Sequence, residues 1–132
     1  MHPEMVEIEQ INELTQRIIE AAMGVYRTSG PGKQAEAYQD LLRSALSERG
    51  LEMKTIDPPT EKVESKLSKD SDRGVVLVED QVMIEIMTLD PITQDHKERL
   101  LSDLIQRGYH VGLLINFDVG SIEEGIKRLV NY

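Results

Sequence analysis

The apolar residues of the chain follow two patterns, one repeating every three or four positions and one running nearly unbroken. The helical repeat predicts a first helix, capped by Asn12 and ending near Ser29, and a second helix that stops at Gly50. Gly30-Pro31-Gly32 separates the two helices. Residues 1–10 are expected to form a flexible N-terminal segment. Two packed helices therefore precede any sheet.

The second pattern predicts a hairpin at the centre of the chain. Val75–Val78 is apolar throughout, and Val82–Met87 is apolar except for Glu85. Residues 79–81, Glu-Asp-Gln, form the predicted turn. Because side chains alternate along a strand, Glu85 shares a face with the methionines two positions to either side. A buried carboxylate is costly unless it has a partner, so Glu85 is interpreted as either functional or a relic.

Two segments before the hairpin have weaker strand signals. Leu51–Ile56 alternates well enough to predict a strand, which Asp57-Pro58-Pro59 would end. Residues 62–72 are typical of an exposed connection, in which Val63 and Leu67 offer a short edge strand. Three strands, or four with that edge strand, are therefore expected before the next helix.

The C-terminal part predicts a helix, a strand and a last helix. The first of these helices is expected to open at Asp90-Pro91 and to close at Gly108. Its buried side is predicted to consist of Leu100, Leu101, Leu104 and Ile105. The apolar run in Tyr109–Asn116 predicts a buried strand that pairs in parallel with its predecessor. Ser121 and Glu124 match a capping box and predict the last helix. The fold class is α/β, a mixed sheet of about four strands flanked by helices in the order αα-βββ(β)-α-β-α.

Composition narrows the function classes. A chain of 132 residues fits one domain spanning 1–132. The absence of cysteine excludes disulfides, thiolate metal sites and cysteine nucleophiles, and it favours a cytoplasmic location. No signal peptide and no membrane partner are expected, because no suitable apolar run is present. A net charge of −9 disfavours capture of a nucleic-acid backbone.

Several short motifs occur together along most of the chain. They are Ile11-Asn12-Glu13-Leu14-Thr15, Ile18-Ile19-Glu20-Ala21-Ala22, Gly30-Pro31-Gly32 with Tyr38, Glu48-Arg49-Gly50-Leu51, the central hairpin, Val111-Gly112-Leu113-Leu114-Ile115-Asn116-Phe117 and Gly125-Ile126-Lys127-Arg128-Leu129. In this combination the chain resembles the GxxExxxY family of the PD-(D/E)XK nuclease superfamily. The resemblance implies a restriction-endonuclease-like fold whose active members hold Mg²⁺ or Mn²⁺ through an Asp and a Glu, with a Lys that positions the attacking water.

The chain departs from the family pattern at most site positions. The resemblance places a helix-borne Glu at Ala35 and the metal-binding Asp at Val75. The Glu-x-Lys of the following strand becomes Glu85-Ile86-Met87, so only the carboxylate is kept. The vestigial site is therefore assigned to Ala35, Val75, Glu85, Met87 and His96, with Glu85 as the remaining metal ligand.

The next helix keeps one of the two polar residues that the resemblance implies. The family often has a His followed three positions later by a Gln, and this chain has His96 and Arg99. A structural interpretation of His96 stands beside the functional one, because it shares a helical face with Leu100 and Leu104 and would rest half-buried against the sheet.

The leading hypothesis is a catalytically inactive nuclease-fold protein that serves as a binding or interaction scaffold without a cofactor. Its partner would be an unknown protein or a second copy of the chain in a homodimer. The alternative is an Mg²⁺- or Mn²⁺-dependent nuclease with relocated ligands, in which Glu36, Asp72 or another carboxylate joins Glu85 and Lys97 or Arg99 supplies positive charge. Non-catalytic nucleic-acid binding is the third hypothesis, and the acidic net charge disfavours it.

Overall fold

The computed structural model describes residues 4–56, 74–88 and 91–132. Its elements are α1 (Met5–Ser29), α2 (Ala35–Glu48), β1 (Met53–Thr55), β2 (Gly74–Val78), β3 (Val82–Met87), α3 (Gln94–Arg107), β4 (Val111–Asn116) and β5 (Ile126–Val130). The predicted α/β class is confirmed, with five strands in the described residues instead of about four. The edge strand expected at Val63 and Leu67, and the turn at 57–59, lie outside the described residues.

The strands form a single mixed sheet in the order β1-β2-β3-β4-β5. All neighbours pair antiparallel except β3 and β4, which are parallel as predicted. A parallel pair needs a crossover connection, and α3 provides it. The sheet therefore has helices on both faces, with its central strands covered on either side.

Each face of the sheet packs into a separate apolar cluster. The larger cluster packs α1 and α2 against the face that carries Ile84 and Ile86 of β3. The smaller cluster packs α3 against the opposite face, which carries Met83 and Met87. The predicted alternation of β3 is confirmed, so the Glu85 side chain is directed to the α3 face.

The first helix begins earlier than its predicted cap. Helix α1 starts at Met5, with Glu4 at its N-cap position, and Asn12 lies two turns inside it. The prediction that Asn12 caps the helix is therefore wrong, because the amphipathic repeat already begins before it. The Asn12 side chain instead accepts a hydrogen bond from Arg128 of β5. Residues 5–10 belong to α1, whereas residues 1–3 lie outside the described part of the chain.

The third helix begins later than predicted and ends where predicted. It starts at Gln94 instead of at Asp90-Pro91, because Thr93 provides the N-cap. Gly108 closes it in the left-handed conformation, with φ of 77°.

None of the three helices in the described part of the chain has the length and apolar character that are needed to span a membrane.

Helix α3 lies close to β4 because one position of that strand has no side chain. A Cβ on Gly112 would lie 3.0 Å from a methyl carbon of Leu100 and 3.1 Å from one of Leu104. Both leucines are fully buried, as predicted. Ile105 was wrongly predicted to be buried: it is 60% exposed, since one helical step rotates it away from the sheet.

The last element is a strand, and the predicted helix at Ser121 is wrong. The Ser121 hydroxyl donates to the Glu123 carboxylate instead of capping a helix. Residues 122–125 form a turn that brings the chain back along β4. A Cβ on Gly125 would lie 2.2 Å from the backbone oxygen of Asn116, so this return path requires glycine.

Pairing with β4 explains why a helical apolar spacing forms a strand. In β5, Ile126 packs into the α1–α2 cluster and Leu129 into the α3 cluster. The two side chains therefore lie on opposite faces of the sheet, as expected for residues that are an odd number of positions apart on a strand. Backbone pairing from Val111 with Val130 through Ile115 with Ile126 outweighs the local helical signal.

The hairpin turn gives one prediction about pH. The Tyr109 hydroxyl donates to the Asp80 carboxylate at 3.2 Å, and burial together with this carboxylate raises the pKa of Tyr109 above the ordinary value of about 10. The stabilisation that this shift provides is complete below about pH 10 and is lost as pH rises through the raised pKa. Subtracting the absorbance titration of Tyr109→Phe from that of wild type should show one tyrosine that ionises above the ordinary pKa of about 10. Asp80→Asn should bring its midpoint down, and an unchanged midpoint would refute the assignment.

Candidate functional site

Glu85 lies in the middle of β3 in apolar surroundings. Its side chain is 1% exposed. Across the sheet it is in register with Val75 on one side and Leu114 on the other. Along its own strand, Met83 and Met87 share its face. A carboxylate in this position needs a compensating charge, because transfer of an ionised group into an apolar site is strongly unfavourable.

The compensating charge comes from α3. Arg99 Nη2 donates to Glu85 Oε2 at 2.5 Å, and the Arg99 side chain is 14% exposed. Both members of this ion pair are therefore shielded from water. In the comparison with the family pattern, Arg99 occupies only the Gln position, three residues after His96. It is also one of the two residues, with Lys97, that were expected to supply positive charge.

His96 stabilises the start of α3. Its backbone N–H donates to Thr93 Oγ1 at 3.4 Å, and the Thr93 N–H donates to His96 Nδ1 at 3.0 Å. This is a capping box in which a histidine occupies the position where Glu or Gln is usual. His96 is 5% exposed, which makes it more buried than the half-buried position expected. Its contacts fix the helix one turn before Arg99.

The remaining predicted site residues are separated by the sheet. Val75 and Met87 lie on the same face as Glu85, within the α3 cluster. Ala35 is the first residue of α2 and packs against the cluster on the other face. The structure therefore brings Val75, Glu85 and Met87 together and leaves Ala35 apart. Glu36, one of the alternative ligands, is exposed at the start of α2.

Sequence reasoning missed a second buried carboxylate on α3. Asp103 has no exposed surface and lies one helical turn after Arg99. Its spacing of three from Leu100 and seven from His96 was a usable signal, because both of those residues were expected to face the sheet. Within the described residues, no three His, Cys, Asp or Glu side chains converge closely enough to hold a metal ion. Asp72, the other alternative ligand, lies outside those residues.

A surface cleft is present elsewhere on the sheet. It has a volume of about 330 Å³ and is lined by Glu52, Lys54, Leu77, Glu79 and Asp80. None of these residues belongs to the predicted site. Among the described residues, Val75, Glu85 and Met87 of the predicted site lie in the apolar layer between the sheet and α3 (the Glu85 layer), where Glu85 and Arg99 form an ion pair.

Comparison with known proteins gives one match. The model of the PD-(D/E)XK nuclease superfamily matches residues 12–129. No curated protein and no solved structure matches the chain. The matched range begins in α1 and ends in β5, one residue before that strand ends, so it contains β1 to β4, α3 and the Glu85 layer.

Proposed function

Since the chain belongs to the PD-(D/E)XK nuclease superfamily, we propose that it is a non-catalytic member whose fold serves as a binding or interaction scaffold. The observation that carries this proposal is the environment of the Glu85 side chain. It faces Val75 in register across β2, and its carboxylate is paired with Arg99. The acidic residue that would form a metal pair with Glu85 is therefore replaced by an apolar one.

The residues around Glu85 do not fit the divalent metal that the superfamily implies. A hard cation such as Mg²⁺ binds several oxygens, and the register neighbours of Glu85 are Val75 and Leu114. A divalent ion about 4 Å from the Arg99 guanidinium would meet repulsion on the order of 8 kcal/mol at an effective dielectric constant of about 20. That repulsion offsets about half of the attraction between the ion and a single carboxylate about 2.1 Å away, which is on the order of 16 kcal/mol at the same dielectric constant. Met87 supplies neither a charge nor a proton.

The finer family assignment is part of the same proposal. Membership of the GxxExxxY family is supported by Gly30 and Gly32, which both have positive φ, and by Tyr38, whose hydroxyl donates to Gly30 O at 2.6 Å. These motif residues build the loop between α1 and α2. The chain keeps these structural motif residues, whereas Val75 stands at the position of the family's metal-binding Asp. This combination is expected for a member that has kept the fold and lost the catalytic activity.

The proposed ligand class is protein. A second copy of the chain in a homodimer, or another protein, fits a surface whose net charge is −9 better than a nucleic-acid backbone does. A cytoplasmic location agrees with the absence of cysteine from the chain.

A cleavage assay tests the proposal. The purified protein is incubated with plasmid DNA, single-stranded DNA and RNA in Mg²⁺ or Mn²⁺, beside Glu85→Gln as the matched control. We expect wild type and Glu85→Gln to leave the substrates equally intact. Cleavage that needs the metal and disappears in Glu85→Gln would instead support the alternative, a nuclease in which another carboxylate joins Glu85.

A further inference from the structure

We infer that the outer edge of β5 is an interface at which a second copy of the chain extends the sheet by antiparallel β5–β5 pairing. The inference rests on the proposed function, in which the fold is an interaction scaffold, and it names the partner and the surface. Among the described strands, β5 pairs only with β4, so it forms one edge of the sheet. An edge strand is a template for pairing with another strand.

The hydrogen bonds to β4 show which residues of β5 direct backbone groups outward. The Asn131 N–H donates to His110 O. Because bonding positions alternate along an antiparallel pair, Arg128 and Val130 direct their N–H and C=O groups away from β4. Charged side chains protect many edges from such pairing. The Arg128 side chain instead donates to Asn12 of α1, so it is held within its own chain.

Exposed apolar side chains surround this edge. Val130 is 46% exposed, and Tyr132 is 38% exposed. On the α3 side of the sheet, Ile105 is 60% exposed and lies one helical turn after Leu101, which packs into the same cluster as Leu129 of β5. The edge of β5 therefore presents apolar surface that a partner would cover.

Helix α1 extends the apolar surface on the other side of the sheet. Since Asn12 contacts Arg128, the stripe of α1 that contains Asn12 faces the β5 edge. This stripe carries no charged residue and consists of Met5, Ile8, Asn12, Ile19 and Met23. The carboxylates of Glu9, Glu13 and Glu20 are exposed on the side of α1 opposite its buried residues. Two copies that each carry a charge of −9 repel each other, so an uncharged stripe suits a contact between them.

One register of two antiparallel β5 strands is self-complementary. It places the two copies of Leu129 opposite each other on the two-fold axis and pairs the full length of β5. Arg128 then lies opposite the second copy's Val130, and Lys127 lies opposite its Asn131. A register centred on Arg128 would set two like charges opposite each other, which is destabilising. The interface should therefore use the register centred on Leu129.

Sedimentation equilibrium of charge variants at position 130 tests the interface. Wild type should have twice the chain mass of 15.0 kDa. Val130→Lys places a cation opposite the second copy's Arg128, whereas Val130→Glu, its matched control, places a carboxylate there. The dissociation constant of the Val130→Lys dimer should be about tenfold higher than that of Val130→Glu, because the contact occurs twice in a two-fold dimer. Circular dichroism should show the same fold for both variants.

A disulfide between two copies tests the register. The chain has no cysteine, so a single introduced cysteine can cross-link only two copies. Leu129→Cys should form a dimer on mild oxidation, because the two Cα atoms of such a pair lie about 4.5 Å apart, within disulfide range. Lys127→Cys is the matched control on the same face of β5. It should remain reduced, because its two copies would lie about 14 Å apart.

The outcomes separate this inference from the proposed function. A monomeric wild type, equal dissociation constants for the two position-130 variants, or equal cross-linking of Leu129→Cys and Lys127→Cys would overturn the β5 interface. The non-catalytic scaffold would then stand, with another protein as its partner. Metal-dependent cleavage that Glu85→Gln abolishes would overturn the proposed function, whatever mass is measured.

Discussion

Arg99→Met should lower the free energy of unfolding by about 3 kcal/mol, as expected when one partner of a buried ion pair is removed. The substitution keeps most of the apolar volume and removes the guanidinium that lies 2.5 Å from Glu85. The Glu85 carboxylate, at 1% exposure, would then lose its ion pair with Arg99 inside an apolar layer. Urea denaturation followed by circular dichroism measures the loss.

Two further variants identify the origin of this loss. Glu85→Leu/Arg99→Met removes both charges and should unfold within about 1 kcal/mol of wild type, because an apolar pair can replace a buried ion pair at little cost. Arg43→Met is the matched exposed control: its salt bridge to Asp40 has side chains 42% and 79% exposed, and its loss should cost less than about 1 kcal/mol. A double variant as unstable as Arg99→Met would contradict the charge argument.

Tyr38→Ala should cost about 3–5 kcal/mol, in the range for removing a large aromatic side chain from a core. The Tyr38 ring has no exposed surface and stacks on Phe117, with ring centroids 4.4 Å apart and planes 7° from parallel. Its hydroxyl also holds the loop between α1 and α2, donating to Gly30 O and accepting from the Lys33 N–H. Removing the ring would therefore open a cavity and release the loop.

Tyr38→Phe separates these two contributions. It keeps the stack on Phe117 and removes only the hydroxyl contacts to Gly30 and Lys33, so its expected cost is about 1 kcal/mol. Both variants are compared with wild type by urea denaturation at one temperature. Equal losses for Tyr38→Ala and Tyr38→Phe would show that the ring contributes little to the stability of the fold, contrary to this prediction.

The central hairpin could be predicted from the sequence because its signals are local. The apolar runs of β2 and β3 and the polar turn between them fix which residues pair, and the alternation of β3 then fixes the direction of Glu85. The register that sets Val75 beside Glu85 follows from the turn length. The site positions that the family resemblance implied on these strands are therefore neighbours in the structure.

The partner of Glu85 could not be fixed in this way. Arg99 lies 14 positions further along the chain, and the contact depends on how α3 docks on β4. Docking is set by Gly112, whose missing side chain admits Leu100. The family resemblance placed Arg99 at the Gln position of this helix, and the alternative hypothesis named Lys97 and Arg99 equally as sources of positive charge. Asp103 was missed because a carboxylate on an amphipathic helix is ordinarily expected on the exposed side.

The last strand, β5, shows a second limit of prediction from the sequence. Ile126, Leu129 and Val130 are spaced as on a helix, and a five-residue run is too short to decide between a helix and a strand. Pairing with β4 and the close passage at Gly125 decide it, and both are properties of the folded chain. Within the described residues, the order of elements was thus correctly predicted up to β4 and wrong after it.

The Glu85 layer should hold no catalytic metal, because Arg99 neutralises the carboxylate and Val75 offers no second one. Calorimetric titration of wild type with Mg²⁺ and Mn²⁺ near neutral pH tests this central claim most directly, with Glu85→Gln titrated in parallel. We expect no saturable heat in either protein. Saturable binding to wild type that Glu85→Gln abolishes would contradict the claim.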